Sequence, residues 1–266
     1  MDLQLSGARA IVTGGSRGIG LAVARGLVAE GARVTLVARD EQRLDTAADA
    51  LRLATPDADV RAVPADTTDD ASVRAMVDGV AAAWGGVDVL VNAAAEPATG
   101  AAPALADLTD AEVAADFDTK VLGYLRCARA VAPHMTTQGA GRIVNISGLN
   151  ARRTGSVSGT IRNVAVAALT ANLADELGAG GVGVCAVHPG PVETERTPAL
   201  VAARAAATGL TEEEVRGRLG ATTSLRRLVA VEEVADVVVF LCSPRAAAVT
   251  GDAVSVAAGN RGSVHY

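Results

Sequence analysis

Aromatic side chains are scarce in this chain of 266 residues, which has one Trp, two Tyr and two Phe. Half of the residues are apolar, so Ala, Val and Leu must fill the core, and these side chains suit helices packed closely on a sheet. No apolar run reaches the ~18 residues that a membrane-spanning helix needs. The first residues show no signal-peptide pattern, so we expect a cytoplasmic protein without a membrane partner.

Cysteine and lysine are also rare. Cys127, Cys185 and Cys242 each lie in an apolar stretch without metal-binding or redox spacing, so we expect reduced core residues and no metal site. The net charge is −6 and no basic run occurs, which argues against nucleic acid as a partner. Of the 24 Lys and Arg residues, one is a lysine, Lys120. Because arginine fills the other cationic positions, Lys120 indicates a place that needs a compact point charge.

Apolar strands alternate with amphipathic helices along the chain. Continuous apolar segments predict strands at residues 9–12, 33–38, 59–64, 87–91, 142–146, 182–187 and 253–256. Helical apolar spacing predicts helices at 21–30, 41–53, 72–84, 110–135, 160–177 and 232–241, with Pro133 as a point where the long helix could end early. This alternation predicts an α/β fold, a single doubly wound domain over residues 1–266 whose seven-stranded parallel sheet has helices on both faces. The irregular segments are 93–106 and 191–225, and the second is a candidate substrate lid because it follows a strand end.

A glycine-rich turn between the first strand and the first helix is the most informative motif. Residues 13–20 read Thr-Gly-Gly-Ser-Arg-Gly-Ile-Gly. Glycines let the backbone approach a pyrophosphate, and the helix N-terminus offers free N–H groups and the positive end of the helix dipole. The motif predicts that a dinucleotide contacts Gly14, Ser16, Arg17, Gly18, Ile19 and Gly20.

Several further segments resemble the short-chain dehydrogenase/reductase superfamily, and the resemblance covers nearly the whole chain. Asp66 follows the third strand, Asn92 begins an Asn-Ala-Ala-Ala turn in which Ala95 replaces the usual glycine, and residues 143–147 read Ile-Val-Asn-Ile-Ser. Residues 189–194 read Pro-Gly-Pro-Val-Glu-Thr. The resemblance implies a Rossmann fold with an active-site serine at Ser147. It also implies cofactor contacts from Asp66, Asn92, Pro189, Gly190, Val192 and Thr194.

The end of the second strand favours NADP(H) over NAD(H). An NAD-binding member would carry an acidic residue there to bind the ribose 2′-hydroxyl. Here Ala38 is followed by Arg39, and Arg17 lies in the glycine-rich turn. Two guanidinium groups suit a 2′-phosphate, which arginine binds in bidentate fashion. The alternative is that both arginines are solvated surface residues.

Lys120 and Asn163 are exchanged relative to most of the superfamily. Lys120 stands where most members have a structural asparagine, and Asn163 stands where most have the active-site lysine. The exchange resembles the ketoreductase domains of modular polyketide synthases. It implies that Lys120, Ser147 and Asn163 are three members of a catalytic tetrad. The alternative is that the three residues have no catalytic role: Lys120 would face solvent, Ser147 would be a capping residue and Asn163 would be an ordinary polar residue of its helix.

The tyrosine that should complete the tetrad is missing. It would stand one helical turn before Asn163, and that position is Gly159. In the superfamily this phenol transfers the proton as hydride moves, and general acid catalysis of this kind contributes about 10²–10⁴-fold. Carbonyl reduction should therefore be slow, although Ser147 can still stabilise a developing oxyanion.

Four side chains are candidate substitutes for the phenol. Tyr124 lies one turn beyond Lys120 and is interpreted as a core residue, and Tyr266 belongs to a C-terminal tail that could cover a neighbouring subunit. Arg152 and Arg153 follow Ser147 and are either anion ligands or solvated loop residues.

These observations predict an NADP(H)-dependent oxidoreductase acting on a ketone or alcohol of a small, polyketide-like molecule. One alternative is a non-redox cyclase, dehydratase or isomerase that uses Lys120 and Ser147 electrostatically. Another is a catalytically silent binding subunit. Because members of the superfamily commonly pair the helices predicted at 110–135 and 160–177, we expect a homotetramer or homodimer.

Overall fold

A seven-stranded parallel sheet forms the centre of the computed structural model, which describes residues 1–95 and 103–261. The strands of these residues are β1 (Arg9–Thr13), β2 (Arg33–Ala38), β3 (Val60–Pro64), β4 (Val89–Asn92), β5 (Gly141–Ile146), β6 (Val182–Pro189), β7 (Val192–Glu193), β8 (Val229–Ala230) and β9 (Ala253–Val256). Their order in the sheet is β3-β2-β1-β4-β5-β6-β9, and β7 pairs with β8 separately. The order reverses between β1 and β4, which leaves a crevice at the carboxyl ends of these strands.

Helices cover both faces of this sheet. They are α1 (Gly18–Ala29), α2 (Glu41–Ala54), α3 (Asp70–Trp84), α4 (Asp110–Phe117), α5 (Gly123–Gln138), α6 (Val157–Leu177), α7 (Thr197–Thr208), α8 (Glu212–Ala221) and α9 (Val231–Cys242). Successive side chains of β1 point to opposite faces of the sheet. On one face, Ala10 and Val12 pack with α1, α2 and α9. On the other face, Ile11 packs with α3, α5 and α6. The predicted doubly wound α/β fold with a seven-stranded parallel sheet is confirmed. None of the helices in the described ranges is long and apolar enough to cross a bilayer.

The long helix predicted over residues 110–135 is present, but it contains a π-helical distortion and ends three residues later. The chain forms α4, then a π-helical segment at Asp118–Leu122, then α5, which continues past Pro133 to Gln138. Pro133 removes one N–H donor, but the buried Met135 favours continuation, and Gly139 ends the helix with a φ of 71°. The widened turn places Lys120 inside the π-helical segment, a type of distortion that is frequent at functional sites.

The segment predicted to be irregular over residues 191–225 is largely ordered. It contains β7, α7 and α8, and α8 begins with a capping box in which Thr211 and Glu214 bind each other's backbone N–H groups. Helices α7 and α8 are rich in alanine and charged residues, so their apolar spacing is weak and the sequence pattern did not reveal them. Part of the other segment, residues 96–102, lies outside the described residues.

Helix α6 begins three residues before its predicted start. The Ser156 hydroxyl accepts a hydrogen bond of 3.1 Å from the Gly159 backbone N–H and so caps the helix at Val157. Gly159 therefore lies in the first turn of α6 instead of in the preceding loop. The capping serine explains the difference, because helix ends depend on such local bonds more than on apolar periodicity.

Candidate active site

A cleft of about 710 Å³ opens where β1, β2, β4, β5 and β6 end. Its lining includes most of the residues predicted to form the site: Gly14, Ser16, Arg17, Gly18, Ile19, Gly20, Arg39, Asp66, Lys120, Ser147, Asn163, Pro189, Gly190, Val192 and Thr194. Asn92 and Gly159 do not belong to the lining. The topology therefore brings two groups together, a glycine-rich turn with arginines at one end and a Lys-Ser-Asn cluster at the other.

The glycine-rich turn packs against neighbouring backbone so closely that side chains would not fit. Gly14 has a φ of +67°, and a Cβ there would lie 2.7 Å from the Ala93 carbonyl oxygen. A Cβ at Gly20 would collide with the Gly14 carbonyl. Helix α1 begins directly after this turn, so its unpaired N–H groups are available to an anion in the cleft.

The turn after β4 is stabilised from β1. The Thr13 hydroxyl accepts hydrogen bonds from the N–H groups of Ala93 and Ala94, at 3.2 and 3.3 Å. Among the described residues other than glycine, a positive φ occurs at Gln4, Arg226 and Ala258, and not at Ala95. The backbone beside the cleft therefore accepts alanine where the superfamily has glycine.

Asn92 holds the sheet to α6. Its amide donates a hydrogen bond of 2.9 Å to Asn145 Oδ1, and the Asn145 amide donates one of 3.0 Å to Thr170 Oγ1 on α6. Asn92 is fully buried. These bonds connect β4, β5 and α6, so they fix the position of the helix that carries Asn163, while a direct cofactor contact by Asn92 stays a prediction.

Three arginines and one aspartate, Asp40, line the cleft near the end of β2, and Asp40 pairs with Arg43 at 3.5 Å. Arg17, Arg39 and Arg43 all belong to the lining, and Arg43 was not identified from the sequence. Arg43 lies in the first turn of α2, where its backbone N–H donates to the Asp40 side chain at 3.0 Å. The capping aspartate at the end of β2 was the sequence signal that could have placed Arg43 at this edge.

Asp66 lies opposite these arginines at the end of β3. Burial raises the pKa of Asp66. Two hydrogen bonds from Thr68 and the charges of Arg39 and Arg126 outweigh this effect, so the pKa lies below its usual value. The two Thr68 bonds are 2.9 and 2.8 Å long. Asp66 is therefore ionised at neutral pH and braced within its own loop.

Lys120, Ser147 and Asn163 meet at the other end of the cleft. The Lys120 ammonium donates to the Ser147 backbone oxygen at 2.8 Å and to Asn163 Oδ1 at 3.0 Å. The Ser147 hydroxyl donates to the Asn163 backbone oxygen at 3.0 Å. A Cβ on Gly148 would lie 2.9 Å from Asn163 Nδ2, so glycine after the serine leaves room for the amide.

The electrostatic surroundings of Lys120 are unusual for a lysine. Its side chain is 5% exposed, and burial followed by the charge of Arg162 lowers its pKa to about 7, with Asp116 acting in the opposite direction. Arg162 and Asp116 form an ion pair, and Asp116 also accepts a hydrogen bond from the Ser158 hydroxyl. Lys120 can therefore exchange a proton near neutral pH, which an ordinary surface lysine cannot.

Gly159 lies beside Asn150, which the sequence analysis did not identify. A Cβ built on Gly159 would lie 2.9 Å from Ser156 Oγ and 3.0 Å from Asn150 Nδ2. Asn150 lines the cleft, and its Oδ1 accepts a hydrogen bond of 3.3 Å from Arg153. Glycine thus lets an amide donor and a capping hydroxyl approach the helix where the superfamily has a phenol.

The other candidate proton donors and anion ligands are placed less favourably. The Tyr124 hydroxyl is buried and donates to the Ile146 carbonyl at 3.0 Å, and burial raises its pKa above the usual value. Arg152 donates to the Ala253 carbonyl, whereas Arg153 lines the cleft. Tyr266 lies outside the described residues. Within residues 1–95 and 103–261, no group of three or more His, Cys, Asp and Glu side chains could hold a metal ion.

Known proteins with a similar sequence include reductases and dehydrogenases. Residues 14–261 match the family model described as enoyl-(acyl carrier protein) reductase. A putative ketoacyl reductase of Streptomyces coelicolor is 37% identical over 264 residues, covering 94% of this chain and 95% of that protein. The short-chain reductase protein NovJ of Streptomyces niveus is 36% identical over 251 residues, covering 94% of this chain and 92% of that protein.

Solved structures of similar fold contain NADPH. An actinorhodin polyketide ketoreductase variant with NADPH superimposes with a TM-score of 0.87 at 34% identity, over 95% of this chain and 96% of that chain. The L-sorbose reductase of Gluconobacter frateurii, complexed with NADPH and L-sorbose, superimposes with a TM-score of 0.91 at 29% identity. The match covers 99% of this chain and 100% of that chain.

Proposed function

Because this chain belongs to the short-chain dehydrogenase/reductase superfamily, we propose that it is an NADP(H)-dependent ketoreductase with an atypical active site. Its substrate is a ketone, or in reverse an alcohol, of a small polyketide-like molecule. The observation that carries the proposal is the contact of Lys120 Nζ with Asn163 Oδ1 and the Ser147 carbonyl inside the cofactor cleft. The similarity to ketoacyl reductases of Streptomyces supports the substrate class.

The residues of the cleft fit NADP(H). The turn at Gly14 and Gly20 and the start of α1 form a cradle for a pyrophosphate. The end of β2 carries Ala38 where an acidic residue would repel a 2′-phosphate, and Arg39 and Arg43 follow it. When bound, NADPH supplies the hydride.

Ser147 and Lys120 polarise the substrate carbonyl in this proposal. The Ser147 hydroxyl, now bound to the Asn163 carbonyl, can rotate to donate to the substrate oxygen as negative charge develops there. Lys120 adds a positive charge 2.8 Å from the Ser147 carbonyl, in a buried place where charge acts strongly. Asn163 orients Lys120 through its amide oxygen.

A cofactor titration tests the proposal. We expect NADPH to bind about tenfold more tightly than NADH, a difference of ~1.4 kcal/mol, because arginines flank the 2′ position. Arg39→Asp should abolish or reverse this preference, as fluorescence titration would show. The matched control Arg218→Asp changes an exposed arginine of α8 outside the cleft and should leave the preference unchanged. Equal affinities in the unmodified protein would contradict the cofactor assignment.

A non-redox reaction is the second candidate, and Gly159 is the observation that favours it. Without a phenol at this position, the cluster of Lys120 and Ser147 retains charge and hydrogen-bond donors and so could stabilise an enolate. Conversion of substrate without oxidation of NADPH would support this candidate over the ketoreductase.

A further inference from the structure

Reduction of a carbonyl needs a proton as well as a hydride, and few groups in the cleft can supply one. Tyr124 is committed to the Ile146 carbonyl and its pKa is raised, so it is a poor acid. The Asn150 amide has no acidic proton, and guanidinium groups do not act as acids in proteins. The Ser147 hydroxyl can donate a hydrogen bond, but giving up its proton would leave an alkoxide, which is costly without an acid beside it to return a proton.

We propose that the ammonium group of Lys120 is itself the proton donor to the substrate oxygen, a role that rests on the proposed ketoreductase function. Lys120 lines the cleft together with Ser147 and Asn163. An ammonium group has three N–H donors, and two of them bind the Ser147 carbonyl and Asn163 Oδ1. The third donor has no hydrogen-bond partner among the described residues, so in the proposal it serves the substrate oxygen.

Two uncharged hydrogen-bond donors, on Asn150 and Ser147, line the same cleft as Lys120. No side chain projects from Gly159, and the neighbouring Asn150 amide lines the cleft. Asn150 Nδ2 and Ser147 Oγ are both hydrogen-bond donors on this wall of the cleft. They hold the oxygen while Lys120 supplies the proton.

The charges around Lys120 match its pKa to this task. Arg162 on α6 lowers the pKa, Asp116 on α4 raises it, and burial contributes the largest decrease, so the value lies at about 7. Of the other polar groups in contact, the Ser147 carbonyl and the Asn163 amide are uncharged. An acid whose pKa lies near the working pH is the most effective donor.

The step balances as an ordinary carbonyl reduction. The hydride forms a C–H bond at the carbonyl carbon, and the electron pair of the C=O π bond moves to oxygen. The Lys120 N–H bond breaks as the O–H bond forms, which leaves a neutral amine that solvent reprotonates. The substrate is reduced and the nicotinamide is oxidised.

The pH dependence of reduction tests the proposal. The probe is ethyl 4,4,4-trifluoroacetoacetate, an activated ketone, with NADPH at saturation. Because the acid must be protonated, kcat should be constant at low pH and fall as the pH rises through about 7. Lys120→Arg keeps the positive charge but removes the titratable acid, so kcat should fall about 10²-fold or more. The break in the pH profile, which is the pH at which kcat begins to fall, should also be lost.

Two further variants move the break in opposite directions. Arg162→Gln removes the charge that lowers the Lys120 pKa, so the fall in kcat should move to higher pH. Asp116→Asn removes the opposing charge and should move it to lower pH. Asp118→Asn, two residues from Lys120 and paired with Arg126, is the matched control and should leave the break in place.

The outcomes separate this proposal from the proposed function. If the unmodified protein reduces the probe but Lys120→Arg keeps the rate and the break, Lys120 is not the donor while the ketoreductase assignment stands. A break that moves in the same direction in Arg162→Gln and Asp116→Asn also overturns the role of Lys120. If the unmodified protein oxidises no NADPH with any ketone of a panel, the function and the role of Lys120 both fail.

Discussion

In the proposed ketoreductase site, Gly159 stands at the position where the resemblance to the superfamily predicts a tyrosine. Its neighbours Lys120, Ser147 and Asn163 already bind one another at 2.8–3.0 Å. The first turn of α6 is nevertheless adapted to glycine, because Ser156 Oγ and Asn150 Nδ2 would lie within 3.0 Å of a Cβ there. Restoring a tyrosine therefore requires these two side chains to move.

We predict that Gly159→Tyr raises NADPH-dependent reduction of an activated ketone by about 10²-fold, since a phenol would reach the substrate oxygen directly. Gly159→Phe displaces Asn150 and Ser156 equally but adds no hydroxyl, so it should show no gain. Initial rates of NADPH oxidation compare the two variants. Equal rates in both would mean that a phenol at residue 159 takes no part in proton transfer.

Some site residues could be predicted from the sequence and others could not. Lys120 was recognisable because it is the one lysine of the chain, and its partner Asn163 because motif order fixed its position. Arg43 and Asn150 were missed: Arg43 lies in the first turn of α2, where the capping Asp40 was the one signal of its position, and Asn150 lies in a short 3-10 helix that has no apolar periodicity. The role of Gly159 followed from its position, but its contact with Asn150 required the fold.

Among the helices, α6 presents an apolar outer face. Val157, Ile161 and Val164 lie at helical spacing and are 50%, 48% and 46% exposed. Nothing in the described part of the chain covers these side chains. Their exposure agrees with the subunit interface expected from the sequence, in which the helices of this region pair between copies.

We predict that the protein is a dimer or tetramer assembled through α6. Light scattering should give a multiple of the chain mass of 26.6 kDa. The double variant Ile161→Glu and Val164→Glu should give a smaller mass, because charged side chains would face the partner subunit. Leu53→Glu changes an exposed leucine of α2 and should leave the mass unaltered. A monomer in the unmodified protein at micromolar concentration would contradict the assembly.

The elements themselves were predictable to different degrees. The strands were predictable from continuous apolar runs and the amphipathic helices from helical apolar spacing. Both patterns arise because the strands are buried in the sheet and each helix packs one face against it. The π-helical segment Asp118–Leu122 was not visible, because one widened turn scarcely alters apolar spacing. Helices α7 and α8 pack mainly on each other at the surface, so their sequences carry little periodic signal.

For the whole molecule, the order of strands explains why one cleft serves both ends of the site. Because β1, β4 and β5 are parallel, the glycine-rich turn after β1 and Ser147 after β5 lie at the same edge of the sheet, and the reversal of strand order between β1 and β4 opens a crevice there. In the proposed function, the arginines after β2 lie at the cofactor end of this cleft and Lys120 lies at the reacting end. The account therefore requires hydride to pass between a cofactor and a carbonyl in this cleft.

Deuterium transfer tests this requirement most directly. The protein is incubated with NADPH deuterated at the transferring position of C4 and with an activated ketone, and the alcohol is examined by mass spectrometry. We predict one deuterium at the carbinol carbon, with less product when NADH replaces NADPH. An alcohol without deuterium, or altered substrate with no oxidised cofactor, would contradict the ketoreductase assignment.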